Sequence, residues 1–465
     1  MPDFPPSLLA TWTGGRWTAQ PVSSLAGFTI DTRQLRVGQI FVALKTGKRD
    51  GHDFLAAAEA AGASAAIVGV ANHGLKLPQL VVADPLAAFQ TIAREHRRRF
   101  TGPVIGISGS AGKTSTKNLL ALLLGGTETG VLATEGNLNN HLGVPLTLTR
   151  LDPAAHRFAV VEAGISAPRE MAPLAAMIEP DIAIITLVAP AHTEELGGLG
   201  GVAAEKAVLP AAVRPTGVAI FSRACADFPA FRELSVKQIV VEAADVVRPS
   251  EPGNDRVYFA VTQRGEATAV AVTYGTPPPL SFTFRRVSDG MAQNAVLAIC
   301  AALWLGVSAQ QIQQQLALWQ PAKLRGEVRN EDGRLYYLDC YNANPASMAD
   351  ALEAFYAVAP ADQPRLFVLG GMEELGRESE MFHRALGRTL RLRAEDVLMV
   401  VGDNAEAVRT GAVENGSRAE QIHVVTALEP ISVRVAGWKG AVFVKGSRRY
   451  ELEKVVASSA VEAHA

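Results

Sequence analysis

The segment Gly106-Ile-Ser-Gly-Ser-Ala-Gly-Lys-Thr-Ser115 constrains this chain more than any other. It lies between the apolar run VIGIS and the stretch KNLLALLL, whose Leu119, Leu120, Leu123 and Leu124 share one helical face. A strand, a glycine-rich turn and a helix in that order form a loop whose backbone N–H groups curl around an anion. The helix amino terminus adds a favourable dipole. Lys113 is then expected to reach β- and γ-phosphates, and the Thr114 hydroxyl to face a magnesium ion. The longer form of the pattern has a glycine six residues before the lysine, where this chain has Ile107, so the match is to GxxGKT. Its candidate cradle is Gly109, Ser110, Ala111, Gly112, Lys113, Thr114 and Ser115. A glycine-rich turn with an exposed lysine is the bland alternative, and the strand-loop-helix order argues against it. The loop does not identify the phosphoryl acceptor, which could be water, a hydroxyl or a carboxylate.

Around this loop the chain reads as three α/β units. Up to residue 100, VALK, the alanine-rich stretch ending in AAIVGV, and QLVVADP read as short strands and a helix. The cluster Arg97, Arg98, Arg99 reads as a solvated helix end, followed by a break at Gly102 and Pro103. From 101 to 322, VIGIS, FAVVEAG and IAIITLVAP alternate with helical patterns, which argues for a parallel sheet covered on both faces. Within it, Arg256 to Val287 reads as an antiparallel appendage. Ser308 with Gln311 makes a capping box for a helix that carries Ile312, Leu316 and Trp319 on one face and stops at Pro321. From 323 to 465, YYLDCY, LFVLGG, VLMVVG and AVFVKG suit the strands of a smaller, Rossmann-like parallel sheet.

At 465 residues the chain is long enough for about three domains. Its formal charge of -2 offers no basic excess to attract nucleic acid or a membrane surface. The three cysteines are scattered without a CxxC pair, which fits a reducing compartment. With no basic, apolar leader and no run of roughly 18 apolar residues, a cytoplasmic location without membrane insertion is the simplest expectation.

Several polar residues stand where strands of an open α/β sheet deliver ligand-binding groups, beyond their carboxyl ends. Glu162 closes FAVVEAG, and a carboxylate there suits a hard cation that bridges phosphates. His192 follows IAIITLVAP; taken alone, a structural histidine is the better account. Lys206 is ambiguous by pattern, a helix-surface lysine being the commonest kind. GNLNNHLGVP and the cluster Asp339, Tyr341, Asn342, Asn344, Pro345 read equally as ordinary turns.

In order along the chain, DTRQLRVGQIFVALKTGKRDGHDF, GSAGKTSTK, GNLNNHLGVPLTL, VVEAGISAPREM, APAHTEELGGLGGVAAEKA, LRGEV, DCYNANPASM, VLGGMEELG and VKGSR resemble the Mur ligases. The resemblance spans Asp31 to about Val456, and NLNN with YNANP points to the branch that adds D-alanyl-D-alanine. It implies ATP and magnesium (Mg2+) as cofactors, and UDP-N-acetylmuramoyl-tripeptide and D-alanyl-D-alanine as substrates of a monomeric enzyme acting through an acyl phosphate. It implies that Asp31, Thr32, Arg33 and His52 grip the uridine diphosphate, and that Asn139 and Ser166 face the muramoyl peptide. Thr114 and Glu162 are implied to hold one magnesium ion and His192 a second. Lys206 matches a position that is carbamylated in related ligases. Arg325, Asn342 and Lys445 are implied to complete the nucleotide site or orient intermediates. The sequence departs from the family pattern HNxxNA at GMAQNA, which keeps Asn294 but has Gly290 and Met291, and it has Gly371 where an aspartate is usual. A Mur-type ligase for another amino acid or dipeptide, or a silent UDP-sugar-binding homologue, remains open at this point.

Overall fold

The structure, a computed structural model, describes residues 2–22, 25–244, 255–274, 278–331 and 333–456. The limits expected for the outermost units, Met1 and Ala465, lie outside them. The fold is α/β and builds three sheets.

The central sheet runs, edge to edge, through Leu280–Arg285, Ala267–Tyr274, Asp255–Arg264, Lys237–Ala243, Val218–Ser222, Ile182–Ile185, Val104–Ser108, Phe158–Glu162 and Val131–Ala133. Both of its faces are covered, which is why its parallel strands read as unbroken apolar runs. Ile105, Ile107, Ile184 and Ile220 pack against Leu119, Leu120 and Leu123 of the helix Lys113–Leu123 and against the buried helix Asp289–Trp304. On the other face Val104, Ala183, Ile185 and Ala219 pack against Leu174, Ile178 and Leu209. The segment read as an appendage is antiparallel within itself, Asp255–Arg264 to Ala267–Tyr274 to Leu280–Arg285. It is not a separate body, because Asp255–Arg264 pairs in parallel with Lys237–Ala243 and extends the sheet. The helix Ala309–Leu318 begins at the Ser308–Gln311 capping box and packs Ile312 and Leu316, with Trp319 just beyond it, into the core.

A five-stranded sheet precedes this one, in the order Arg16–Trp17, Gln79–Val81, Ala65–Val68, Ile40–Val42, Phe28–Thr29, all parallel except the first pair. A six-stranded sheet follows, in the order Glu327–Glu331, Arg334–Leu338, Ala441–Lys445, Arg365–Gly370, Val397–Val401, Ile422–Val425, again parallel apart from its first pair.

One expectation is overturned. Arg97 is not solvated but fully buried at the end of the helix Pro85–Arg98. Its guanidinium donates to the Ile178 carbonyl at 2.7 Å, the Glu179 carbonyl at 2.8 Å and Asp181 Oδ2 at 3.0 Å. Those carbonyls end the helix Met171–Ile178 and have no partner within it, so the planar guanidinium satisfies them where water is excluded. Burial lowers the Arg97 pKa to about 10. Arg98, beside it, pairs with Glu179 at the surface, as a helix end should.

Candidate active site

The phosphate loop leaves the buried strand Val104–Ser108 and enters the helix Lys113–Leu123 through two glycines that no other residue could replace without strain. Gly109 has φ +147°, and a Cβ there would lie 1.8 Å from Thr186 Oγ1; Gly112 has φ +79°, and a Cβ would lie 2.3 Å from Asn294 Nδ2. Asn294 therefore packs directly on the loop. Ser110 staples the loop to the next strand's end: its hydroxyl donates to the Ala189 carbonyl at 2.8 Å and accepts from Ala189 N at 3.0 Å.

Lys113 Nζ donates to the Gly109 carbonyl at 2.8 Å, arching over its own loop, and burial lowers its pKa. Thr114 Oγ1 donates to Glu162 Oε2 at 2.9 Å, and Asn139 Nδ2 donates to Glu162 Oε1 at 2.8 Å. Hydroxyl and carboxylate oxygens at the mouth of a phosphate loop suit magnesium, which takes one or two protein oxygens and completes its shell with phosphate and water. Among the described residues, no group of three or more His, Cys, Asp or Glu side chains gathers as a metal cage.

The last sheet's residues reach into the same place. Arg325 donates to Thr114 Oγ1 at 3.2 Å, with its guanidinium 4.0 Å from the centre of the Tyr341 ring. Asn344 caps the helix Pro345–Val358 and donates to the Ser110 carbonyl at 3.2 Å. Lys445 is buried; its Nζ lies 2.5 Å from Asp339 Oδ2 and donates to the Asn342 carbonyl at 3.2 Å, so it shapes the turn that presents Asn342.

One cavity of about 440 Å³ is lined by Ser110, Ala111, Gly112, Lys113, Thr114, Ser115, Asn139, Glu162, Ser166, His192, Asn294, Arg325, Asn342 and Lys445 together. Gly109 is not among its lining residues. Lys206, on the helix Leu199–Ala211, is buried rather than on the helix surface. Burial first, and then the charge of Lys113, lower its pKa to about 7. His192, at φ +55°, puts Nδ1 2.5 Å from Glu374 Oε2, and Thr193 Oγ1 donates to the Leu375 carbonyl at 3.3 Å, so this turn abuts the last unit.

The residues expected to hold uridine diphosphate are not in this cavity. Asp31 accepts from Arg33 in an exposed turn containing Thr32, and that guanidinium lowers the Asp31 pKa to about 2. His52 lines a separate cavity of about 590 Å³ in the first unit. Its Nε2 accepts from Gly69 N at 2.9 Å and its Nδ1 lies 2.6 Å from Asp50 Oδ1, so both ring nitrogens are engaged locally.

Lys117 escaped the sequence reading. Four residues after Lys113 it occupies the same helical face, and its buried ammonium donates to the Thr134 carbonyl at 2.5 Å while Thr134 Oγ1 accepts from Glu162 N. The i, i+4 spacing was the available signal.

The Mur ligase middle domain profile matches residues 107–302, and the Mur ligase glutamate ligase domain profile matches residues 324–448. The UDP-N-acetylmuramoyl-tripeptide--D-alanyl-D-alanine ligase of Escherichia coli is 31% identical over 439 residues, covering 93% of each chain. The chain belongs to the Mur ligase family. Among solved structures, this Mur ligase is similar to MurF from Acinetobacter baumannii, with a TM-score of 0.85 at 27% identity over 99% of both chains. It is also similar to the MurF ligase of Thermotoga maritima in complex with ADP, with a TM-score of 0.78 at 26% identity over 94% of this chain and 98% of that one.

Proposed function

We propose that this protein is an ATP-dependent, ADP-forming ligase of the cytoplasm that joins D-alanyl-D-alanine to UDP-N-acetylmuramoyl-tripeptide in peptidoglycan precursor synthesis. The observation that carries this reading is the convergence of the phosphate loop, the Thr114–Glu162 pair, the Asn139 loop and the last unit's Arg325 and Asn342 on one cavity. The name of the E. coli relative supports the substrates, and the ADP complex of the T. maritima relative supports the nucleotide.

In this reading residues 1–100 bind the UDP portion through Asp31, Thr32, Arg33 and His52, residues 101–322 bind ATP, and residues 323–465 contribute Arg325, Asn342 and Lys445. The carboxylate of the tripeptide attacks the γ-phosphorus, the bond to ADP breaks, and a mixed anhydride forms. The dipeptide amine then attacks the carbonyl carbon, and phosphate leaves with the oxygen that came from the carboxylate. Gathering phosphates, a carboxylate and an oxyanion in one cleft is repulsive, and Lys113 and Arg325 offset that charge where the dielectric is low. Magnesium, when bound at Thr114 and Glu162 with His192 serving a second ion, supplies Lewis-acid neutralisation of the phosphate oxygens. Asn139 orients Glu162, and Ser166 faces the peptide. Lys206, with a pKa of about 7, carries a neutral amine fraction at neutral pH, the form that reacts with carbon dioxide to give an anionic carbamate. The bonds Arg325–Thr114 and Asn344–Ser110 are closure contacts that exclude water once all ligands are present.

The experiment is ADP release by the purified monomer with UDP-N-acetylmuramoyl-tripeptide and either D-alanyl-D-alanine or single amino acids. Turnover with the dipeptide that is lost in Lys113→Ala, with nucleotide-peptide binding retained, is expected. A preference for a free amino acid transfers the chain to another branch, and no ADP release with any acceptor makes it a binding protein.

A further inference from the structure

The cavity at the phosphate loop continues into a second cavity of about 250 Å³ between the helix Asp289–Trp304 of the central unit and the helix Pro345–Val358 of the last. The two share Ser288, Met291, Arg325, Gly326, Tyr337 and Asp350. A nucleotide with its phosphates on the loop must send its base outward, and this adjoining space has apolar walls in Met291, Val328 and Ala354 that suit a flat ring.

One carboxylate stands at the junction. Asp350 Oδ1 accepts from Gly290 N at 2.8 Å. A Cβ on Gly290 would lie 2.7 Å from Asp350 Oδ2 and 3.0 Å from Oδ1, so the glycine is what admits the carboxylate. The departure of this chain from the family pattern at Gly290 and the presence of Asp350 are thus two halves of one arrangement. A carboxylate offers about four acceptor positions; the Gly290 N–H and the Ser288 hydroxyl take two. Its unused lone pairs are half-buried beside both cavities, where an acceptor without a donor is costly.

We propose that Asp350 is a base-specificity residue: it accepts a hydrogen bond from the exocyclic amine of adenine and rejects a base with a keto oxygen in that place. The proposal rests on the nucleotide reading of the phosphate loop given above. An amine completes the carboxylate, whereas a keto oxygen sets acceptor against acceptor.

The test is calorimetric binding of ADP and IDP to the full-length wild type and to Asp350→Asn, whose side-chain amide both donates and accepts. The wild type is expected to favour ADP by at least about tenfold, the weight of a hydrogen bond to a charged group. In a folded Asp350→Asn the ratio should narrow to within about threefold, chiefly through tighter IDP binding. Purine riboside diphosphate, which has neither amine nor keto group, should fall between the two on the wild type, and decides the matter if the variant does not fold. Equal binding of ADP and IDP by the wild type, purine riboside diphosphate bound as tightly as ADP, or an unchanged ratio in folded Asp350→Asn overturns the assignment and leaves the nucleotide reading standing. Absence of binding by any of the three diphosphates overturns both.

Discussion

Replacing Lys206 with methionine should stabilise the protein near neutral pH and not at alkaline pH. Lys206 is 2% exposed, and burial reinforced by Lys113 lowers its pKa from 10.5 to about 7. Between those values the unfolded chain holds a proton on this lysine that the folded chain has released, so stability rises with pH across the window. Below about pH 7 the amine is charged in both states and the full cost of burying it is present; above 10.5 it is neutral in both and the cost is gone. A shift of that size, at about 1.36 kcal/mol per unit, amounts to about 5 kcal/mol. Methionine fills a similar volume without the charge. Urea unfolding of both proteins from pH 7 to 9, in buffer stripped of carbon dioxide, should show the wild type gaining about 1.4 kcal/mol per pH unit on the variant. Stability curves that run parallel over this range would refute the claim that Lys206 is buried with a depressed pKa.

Three further substitutions probe the site and its support. Gly112→Ala forces a left-handed backbone on alanine and drives a methyl into Asn294, at about 1–3 kcal/mol of strain, so ADP affinity in a calorimetric titration should fall by about tenfold or more. Arg97→Met strips the donors from the Ile178 and Glu179 carbonyls, while Asp181 keeps Val104 N and Arg214, and thermal unfolding should report a loss of about 2–5 kcal/mol, at about 1–3 kcal/mol per orphaned carbonyl. Glu162→Gln keeps the Asn139 and Thr114 neighbours but removes a charge, and the magnesium concentration for half-maximal ADP release should rise by about tenfold, while UDP-ligand affinity stays unchanged.

What the sequence made legible was local or periodic. The phosphate loop could be read because strand, glycines and helix are contiguous, and the central strands because burial on both faces leaves uninterrupted apolar runs. Glu162 could be placed at a strand end by the same logic, whereas His192 stands well past Ile182–Ile185, at the start of the short helix Thr193–Leu196. Arg97 could not, because its burial depends on carbonyls 81 and 82 residues away that only the fold brings to it. Lys206 had the pattern of a surface lysine, and only packing on the central sheet removes it from water. The Lys445–Asp339 pair joins residues 106 apart, across neighbouring strands of the last sheet. Gly290 looks like a lost side chain in the sequence, and only the fold brings the Asp350 carboxylate into the space a side chain there would take.

The central claim is that the tripeptide's carboxyl group is phosphorylated before the amide forms. Tripeptide substrate carrying ¹⁸O in both oxygens of its terminal carboxylate, turned over with ATP and D-alanyl-D-alanine, tests this by mass analysis of the released phosphate. The account predicts one ¹⁸O atom per phosphate, carried across the carboxyl–phosphorus bond; phosphate free of the label would contradict it.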